Sequence, residues 1–170
     1  GRRDVGSARG KLAGVWARRW GPRGRASREE HGGGMRDGLT LRAVLPGGAS
    51  TDFLTDAHLD AQMDFDEMEK VGSRLGTGTM IVLDDKTCPV GMCRNLEQFF
   101  SQESCGWCTP CWSGLAFAAR PLMAMEEGQG KAGDPELLEH QVWVNAPGNT
   151  VGAPAPGPVP PPRTHTKDFP

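Results

Sequence analysis

Between residues 38 and 84, apolar side chains fall into two short runs with a helical stretch between them. Residues 39–45 alternate apolar with polar or intermediate side chains, which is typical of a half-buried strand, and residues 79–83 form a second apolar, partly β-branched run. Residues 64–68 place acids at the start of a short helix, where the helix dipole favours them. The pattern predicts a compact α+β unit, which we assign to residues 35–86.

From residue 87 onward the apolar period becomes that of a helix. Apolar residues between 89 and 100 recur at three- and four-residue spacing and form one core-facing stripe. A second helix is expected from Thr109, with this residue as N-cap and a proline behind it, and Pro121 predicts a kink or an early break. A third helix is expected from Asp134 to about residue 144. Residues 87–145 are therefore predicted to form a helical bundle.

The two ends differ from this middle part in composition. Residues 1–34 are rich in Gly and Arg without apolar periodicity, and Pro and Gly dominate residues 146–170. The whole chain of 170 residues contains 24 glycines and 14 prolines, a share at which a packed core becomes thin. We expect both ends to be disordered.

Charge is distributed unevenly along the chain. Residues 1–31 hold nine basic and three acidic side chains, whereas the whole chain has a net charge of −2. This arm lacks aromatic residues apart from Trp16 and Trp20, and no nucleic-acid motif follows it, so no nucleic-acid partner is expected. No apolar run approaches the roughly 20 residues that a membrane span needs. Direct membrane insertion is therefore not expected.

Three of the five cysteines form a C-x₂-C-x₂-C run made of Cys105, Cys108 and Cys111. Thiolates at this spacing can bind three corners of one iron–sulfur cluster, which a remote fourth cysteine usually completes. Gly106 permits a tight loop, and the start of the following helix stabilises the cluster's negative charge. We expect the three sulfurs to converge within a few ångströms of one another.

Other interpretations of the cysteines remain open. Structural zinc usually takes four ligands in pairs separated by a longer spacer, which this run fits less well. Cys93 lies on the apolar stripe of the first helix and is expected to be a core residue, and Cys88 receives no role. A zinc site is kept as the alternative.

The stretch from residue 33 to residue 139 resembles the C-terminal part of the flavin-carrying, NADH-oxidising F subunits of bacterial respiratory complex I (NADH-quinone oxidoreductase). The resemblance rests most specifically on the nonapeptide Glu103-Ser104-Cys105-Gly106-Trp107-Cys108-Thr109-Pro110-Cys111. Four further segments carry it, at residues 46–54, 63–65, 72–77 and 94–100.

The resemblance implies a small ubiquitin-like unit (a β-grasp of the SLBB type) followed by a helical bundle with a [4Fe–4S] cluster. In the family this cluster takes electrons from reduced FMN and passes them toward quinone. Cys105, Cys108 and Cys111 match three of its ligands. The implied function is an electron-transfer module of an NADH:quinone oxidoreductase. The alternative is a free-standing iron–sulfur or zinc-binding interaction module without NADH chemistry.

The sequence also departs from the family's pattern. The domain that binds FMN and NADH is not recognised, and residues 1–32 are expected not to resemble it, so NADH oxidation by this chain alone is not expected. Gly152 stands where the family has its fourth cysteine. The chain therefore has the features of a fragment, and a cluster held by three thiolates is expected to be labile.

The resemblance further implies partners and a location. The helical bundle is expected to dock on an FMN-binding domain and on a [2Fe–2S] partner subunit of the complex I peripheral arm. The assembly is expected to be peripheral, on the cytoplasmic face of the bacterial inner membrane. Trp107 is a candidate contact with a partner.

Overall fold

The computed structural model describes residues 3–7, 15–19, 23–26, 29, 33–35, 37–146 and 148–150. The chain divides into two compact units, Gly1–Thr87 and Cys88–Pro170. The first unit contains small two-stranded sheets and short helices, and the second is helical. This combination confirms a mixed fold of helices and a small sheet.

The first unit contains two short antiparallel sheets of two strands each. Its strands are β1 (Arg3–Ser7), β2 (Val15–Arg19), β3 (Leu41–Leu45) and β4 (Ile81–Asp84), and its helices are α1 (Gly24–Ala26) and α2 (Phe65–Lys70), with a 3₁₀ turn at Asp56–His58. Strands β3 and β4 pair antiparallel, with Leu45 opposite Ile81, and Val44 exchanges two backbone hydrogen bonds of 2.8 Å with Leu54. The predicted strands at 39–45 and 79–83 thus pair with each other.

Side chains from β3, β4, α2 and the loops between them form one apolar core. Its buried members are Val44, Leu54, Leu59, Met63, Met68, Leu75, Met80 and Val82. Asp64 caps α2 by accepting a 2.8 Å hydrogen bond from the Glu67 backbone N–H, as the acids at this helix start predicted. Gly47 lies so close to the Leu75 carbonyl that a Cβ at this position would collide with it. Only glycine therefore allows these two loops to approach.

Residues 1–34 contain regular structure, and the expectation of disorder is wrong for the part of this arm that is described. Strands β1 and β2 pair antiparallel, with Val5 opposite Ala17 and Ser7 opposite Val15. This pairing is made by backbone N–H and C=O groups, which every residue except proline supplies whatever its side chain. A Gly- and Arg-rich composition was therefore not sufficient to exclude strands.

The segment that includes α1 belongs to the first unit. The Gly24 N–H donates to the Ala61 carbonyl at 3.2 Å, and the Arg25 N–H donates to the Leu59 carbonyl at 2.8 Å. The Arg25 guanidinium donates to Asp60 Oδ1 at 3.1 Å, and this hydrogen bond holds the pKa of the Asp60 carboxyl below its ordinary value. These contacts could not be predicted from local sequence, because the Arg25 and Asp60 side chains are 35 positions apart.

The second unit consists of α3 (Pro89–Gln102), α4 (Thr109–Glu126) and α5 (Asp134–Val144). Helix α4 packs against both α3 and α5. The buried apolar residues of this unit include Cys93, Leu96, Cys111, Leu115, Ala118, Leu122 and Leu138. An ion pair of 2.9 Å between Arg94 Nη1 and Glu126 Oε2 links α3 to the last turn of α4. The three helices predicted from the apolar period are thus present.

Two details of α4 differ from expectation. Its N-cap is Cys108 rather than Thr109, because Cys108 keeps an extended backbone while Thr109 is already helical. The helix also continues through Pro121 to Glu126. Pro121 is buried, and Ala118 and Leu122 beside it are buried as well. Packing on this face offsets the one backbone hydrogen bond that proline removes.

The end of α4 is fixed by Gly128, which has a φ of +73°. The Gly128 N–H donates to the Met125 carbonyl, and the Gln129 N–H donates to the Ala124 carbonyl at 2.7 Å. This is a Schellman motif, for which a left-handed glycine is favoured. Beyond residue 146, only 148–150 are described, so Gly152 and the predicted disorder of 151–170 lie outside the described residues. No helix among the described residues is long and apolar enough to cross a membrane.

Candidate metal centre

The cysteine run lies on the loop that joins α3 to α4. Helix α3 ends at Gln102 with Glu103 as its C-cap, and Cys108 is the N-cap of α4. Gly106 has a φ of +73°, in the left-handed region that favours glycine. No heavy atom lies within 4 Å of a Cβ built on Gly106, so glycine is required there by backbone conformation and not by space.

The three cysteines differ in exposure. Cys105 is exposed, Cys108 is half-buried, and Cys111 is buried in the first turn of α4. Cys111 forms an apolar cluster with Leu115, against which Phe100 and Cys108 pack. The structure therefore places Cys108 and Cys111 at one apolar cluster, of which Cys105 is not a member.

The described residues contain no group of three His, Cys, Asp or Glu side chains arranged to hold a metal ion. Convergence of all three sulfurs is therefore a prediction for the chain with its cluster bound. Ligation by Cys105, Cys108 and Cys111 stays a prediction, and the position of Gly152 lies outside the described residues.

A hydroxyl group connects two parts of the loop. The Ser104 Oγ lies 3.2 Å from the Cys111 Sγ, and the Gly106 backbone N–H donates to the same Oγ at 3.3 Å. Ser104 is half-buried, and Cys111 is only 3% exposed. The hydroxyl therefore joins the tip of the loop to the sulfur in the first turn of α4.

The start of α4 favours negative charge at this place. The first backbone bond of the helix runs from the Trp112 N–H to the Cys108 carbonyl at 3.0 Å, so the N–H groups of Thr109 and Cys111 precede the helical ladder. The first turn contains no acidic residue that would offset the helix dipole. An anionic group bound by the cysteines would be stabilised by both features.

The other two cysteines lie at the start and in the first turns of α3, away from the cysteine run in sequence. Cys93 is fully buried, and burial raises the pKa of its thiol, with further contributions from Glu97 and Cys88. Cys88 is exposed and is the N-cap of α3. A buried, neutral thiol agrees with the interpretation of Cys93 as a core residue.

Two polar residues of this unit received no role from the sequence. Ser104 is one, and only its place directly before Cys105 in the nonapeptide could have indicated it. Glu97 is the other. It is 3% exposed, and burial raises the pKa of its carboxyl to about 8. Its spacing of four residues from Cys93 places it on the buried face, which was the available signal.

Residues 91–149 match the model of a family described as the NADH-ubiquinone oxidoreductase-F iron-sulfur binding region. The F subunit of the NADH-quinone oxidoreductase of Escherichia coli (strain K12) is 48% identical over 163 residues, which cover 96% of this chain and 37% of that protein. The corresponding protein of Buchnera aphidicola subsp. Baizongia pistaciae is 43% identical over 94% of this chain and 36% of its own length. The chain thus spans just over a third of the length of these relatives.

The fold is also similar to that of a solved protein of lower identity. A chain of an NAD+-reducing [NiFe]-hydrogenase in the H2-reduced state superposes with a TM-score of 0.79, at 22% identity, over 97% of this chain and 27% of that chain. At this identity the likeness concerns the fold alone.

The comparisons confirm the resemblance to the F subunits of NADH-quinone oxidoreductases and extend it toward the N-terminus of the chain. Because 96% of the chain aligns with the Escherichia coli protein, the similarity includes most of residues 1–34. The expectation that the resemblance begins only at residue 33 is therefore wrong. The N-terminal segment has no motif as specific as the cysteine run, so its similarity is not visible by inspection of one sequence.

Proposed function

We propose that this chain is an electron-transfer module with a [4Fe–4S] cluster, because it is similar over nearly its whole length to part of the F subunit of NADH-quinone oxidoreductases and carries the match to their iron–sulfur binding region. The observation that carries this proposal is the run Cys105, Cys108 and Cys111 at the start of α4, inside the matched residues 91–149. These three thiolates would bind three irons of the cluster.

The chemistry of the donor set supports the proposal. Three thiols in seven residues, with no other metal-binding side chain type between them, suit an iron–sulfur cluster. The N-terminus of α4 offers backbone N–H groups to an anionic cluster. A bound cluster supplies one-electron transfer. The residues of this chain hold the cluster, neutralise part of its charge and shield Cys111 from water.

The fourth iron is proposed to lack a cysteine ligand from this chain. The resemblance places Gly152 at the position of the fourth cysteine. An iron without a thiolate is more exposed to oxidation, and the site carries one negative charge less. We expect a labile, oxygen-sensitive cluster that decays toward a three-iron form. The variant Gly152→Cys should retain more iron per chain.

The finer architecture and the partners implied by the resemblance are part of the same proposal. The first unit would be a β-grasp, and the bundle would dock on an FMN-binding domain and a [2Fe–2S] subunit at the cytoplasmic face of the inner membrane. Trp107 is 82% exposed on the cysteine loop, and Trp112 is 63% exposed in the first turn of α4. Large aromatic side chains exposed beside a redox site suit a protein interface. NADH oxidation would need the flavin domain and is not assigned to these residues.

The test is anaerobic reconstitution with iron and sulfide, followed by EPR before and after reduction with dithionite. The unmodified chain and Cys88→Ser should give the same cluster signal, because Cys88 is exposed and lies outside the run. Each of the serine variants of Cys105, Cys108 and Cys111 should lose most of the signal. Equal signals in all variants would refute the ligand assignment. In a parallel reconstitution that also contains zinc, uptake of zinc in place of iron would favour the zinc-binding interaction module.

A further inference from the structure

We propose that Ser104 is a positioning residue that donates a hydrogen bond to the Cys111 sulfur and thereby raises the reduction potential of the cluster. The inference rests on the proposed function, since it concerns the cluster that Cys111 would bind. It adds a residue that is not itself a ligand and whose effect is measured as a potential.

The geometry of the loop supplies the contact. The Ser104 Oγ lies 3.2 Å from the Cys111 Sγ, within the range of a hydrogen bond to sulfur. In the free thiol either atom can be the donor. A thiolate bound to iron has no proton, so the sulfur can only accept, and the Ser104 O–H becomes the donor.

A second hydrogen bond fixes the direction of this hydroxyl. The Gly106 backbone N–H donates to the Ser104 Oγ at 3.3 Å and thus occupies a lone pair of that oxygen. Gly106 can present its N–H in this way because its φ of +73° turns the chain back on itself. The two hydrogen bonds form a chain from the Gly106 N–H through the Ser104 hydroxyl to the Cys111 sulfur. Consecutive hydrogen bonds of such a chain polarise and strengthen each other.

The apolar surroundings of Cys111 increase the electrostatic effect of the Ser104 hydrogen bond on its sulfur. Cys111 is 3% exposed, and its cluster contains Leu115, with Phe100 and Cys108 packed against it. In such an apolar, water-poor place a single hydrogen bond has a larger electrostatic effect than in water. Reduction adds negative charge to the cluster and its sulfurs, so a donor at Cys111 stabilises the reduced form more than the oxidised form.

Three variants of the reconstituted full chain test the inference by redox titration followed by EPR. Ser104→Ala removes the hydroxyl, Ser104→Thr retains it, and Ser113→Ala removes an exposed hydroxyl from the first turns of the same helix. We expect the equilibrium constant for reduction to fall about tenfold in Ser104→Ala, which for one electron is a potential about 59 mV lower. Ser104→Thr and Ser113→Ala should keep the potential of the unmodified chain.

The outcomes separate this inference from the proposed function. If the unmodified chain binds no cluster, the proposed function fails. If the unmodified chain and Ser104→Ala both bind a cluster with the same potential, the role of Ser104 is refuted while the proposed function stands. Loss of the cluster in both Ser104→Ala and Ser104→Thr also refutes it, because a hydroxyl donor predicts that threonine suffices. A fall in thermal stability of the unloaded Ser104→Ala chain, with an unchanged potential when loaded, indicates a structural role only.

Discussion

Glu97 should make the helical unit less stable as the pH rises. The carboxyl group is 3% exposed, its Oε2 atom has no hydrogen-bond partner among the described residues, and burial raises its pKa to about 8. Glu97 is therefore protonated in the folded chain at neutral pH, whereas it is ionised in the unfolded chain above its ordinary value of 4.5. The variant Glu97→Gln keeps the shape of the protonated side chain and removes the titration.

The sign and size of the effect follow from the two pKa values. Between pH 4.5 and 8 the folded chain binds one proton more than the unfolded chain, so the folded state loses stability as the pH rises. The stability that Glu97 contributes is fully present below pH 4.5, the ordinary pKa of its carboxyl in the unfolded chain, and is lost as the pH rises through about 8, its pKa in the folded chain. The loss is on the order of 1 kcal/mol at pH 5 and about 3 kcal/mol at pH 7. Glu97→Gln should therefore gain stability over the unmodified chain by these amounts.

The assay is urea unfolding at several pH values, followed by helical circular dichroism, which reports mainly on α3, α4 and α5. Burial raises the pKa of the neighbouring Cys93 thiol as well, so this group stays neutral across the range. Glu139→Gln serves as the control, because Glu139 is an exposed carboxylate of the same unit. A stability difference between Glu97→Gln and the unmodified chain that does not grow with pH would contradict the burial of an ionisable carboxyl at this position.

Three further variants test other parts of the structure. Gly47→Ala should destabilise the first unit by about 1–3 kcal/mol or more, because its Cβ would collide with the Leu75 backbone carbonyl. Gly133→Ala, where a Cβ meets open space, should cause no such collision, and urea unfolding compares the two variants. Glu126→Gln should lower the midpoint of thermal unfolding by a few degrees, because it weakens the half-buried 2.9 Å ion pair with Arg94, and the decrease should shrink in Arg94→Gln. Trp107→Ala should leave the unfolding midpoint unchanged, because the side chain is 82% exposed, but should weaken binding to the proposed FMN-binding domain in a titration.

Local patterns predicted the helices of the second unit well. The apolar stripe over residues 89–100 predicted α3, and Asp134 with Pro135 predicted the start of α5. These signals are local, because a helix closes its backbone bonds within four residues. The continuation of α4 through Pro121 was not predictable in the same way, since it depends on burial among residues of other elements.

Contacts between distant residues were the part that sequence patterns missed. Arg25 bonds to Asp60 across 35 residues, and β1 pairs with β2 inside a segment that composition marked as disordered. The cysteine run was recognised by its spacing and by the nonapeptide. Neither of these features indicated, however, that Cys105 is exposed while Cys111 is buried beside a serine hydroxyl. Such differences in environment arise from packing, which spacing alone does not contain.

The three thiolates of Cys105, Cys108 and Cys111 are proposed to hold one iron–sulfur cluster together, and every other part of the proposed function depends on this. The most direct measurement is the amount of iron, sulfide and zinc bound per chain after anaerobic reconstitution in the presence of all three, for the unmodified chain and for the variant with serine at these three positions. We predict iron and sulfide in nearly equal amounts in the unmodified chain, little zinc, and neither iron nor sulfide in the variant. Zinc without sulfide in the unmodified chain, or equal iron in both proteins, would contradict the proposal.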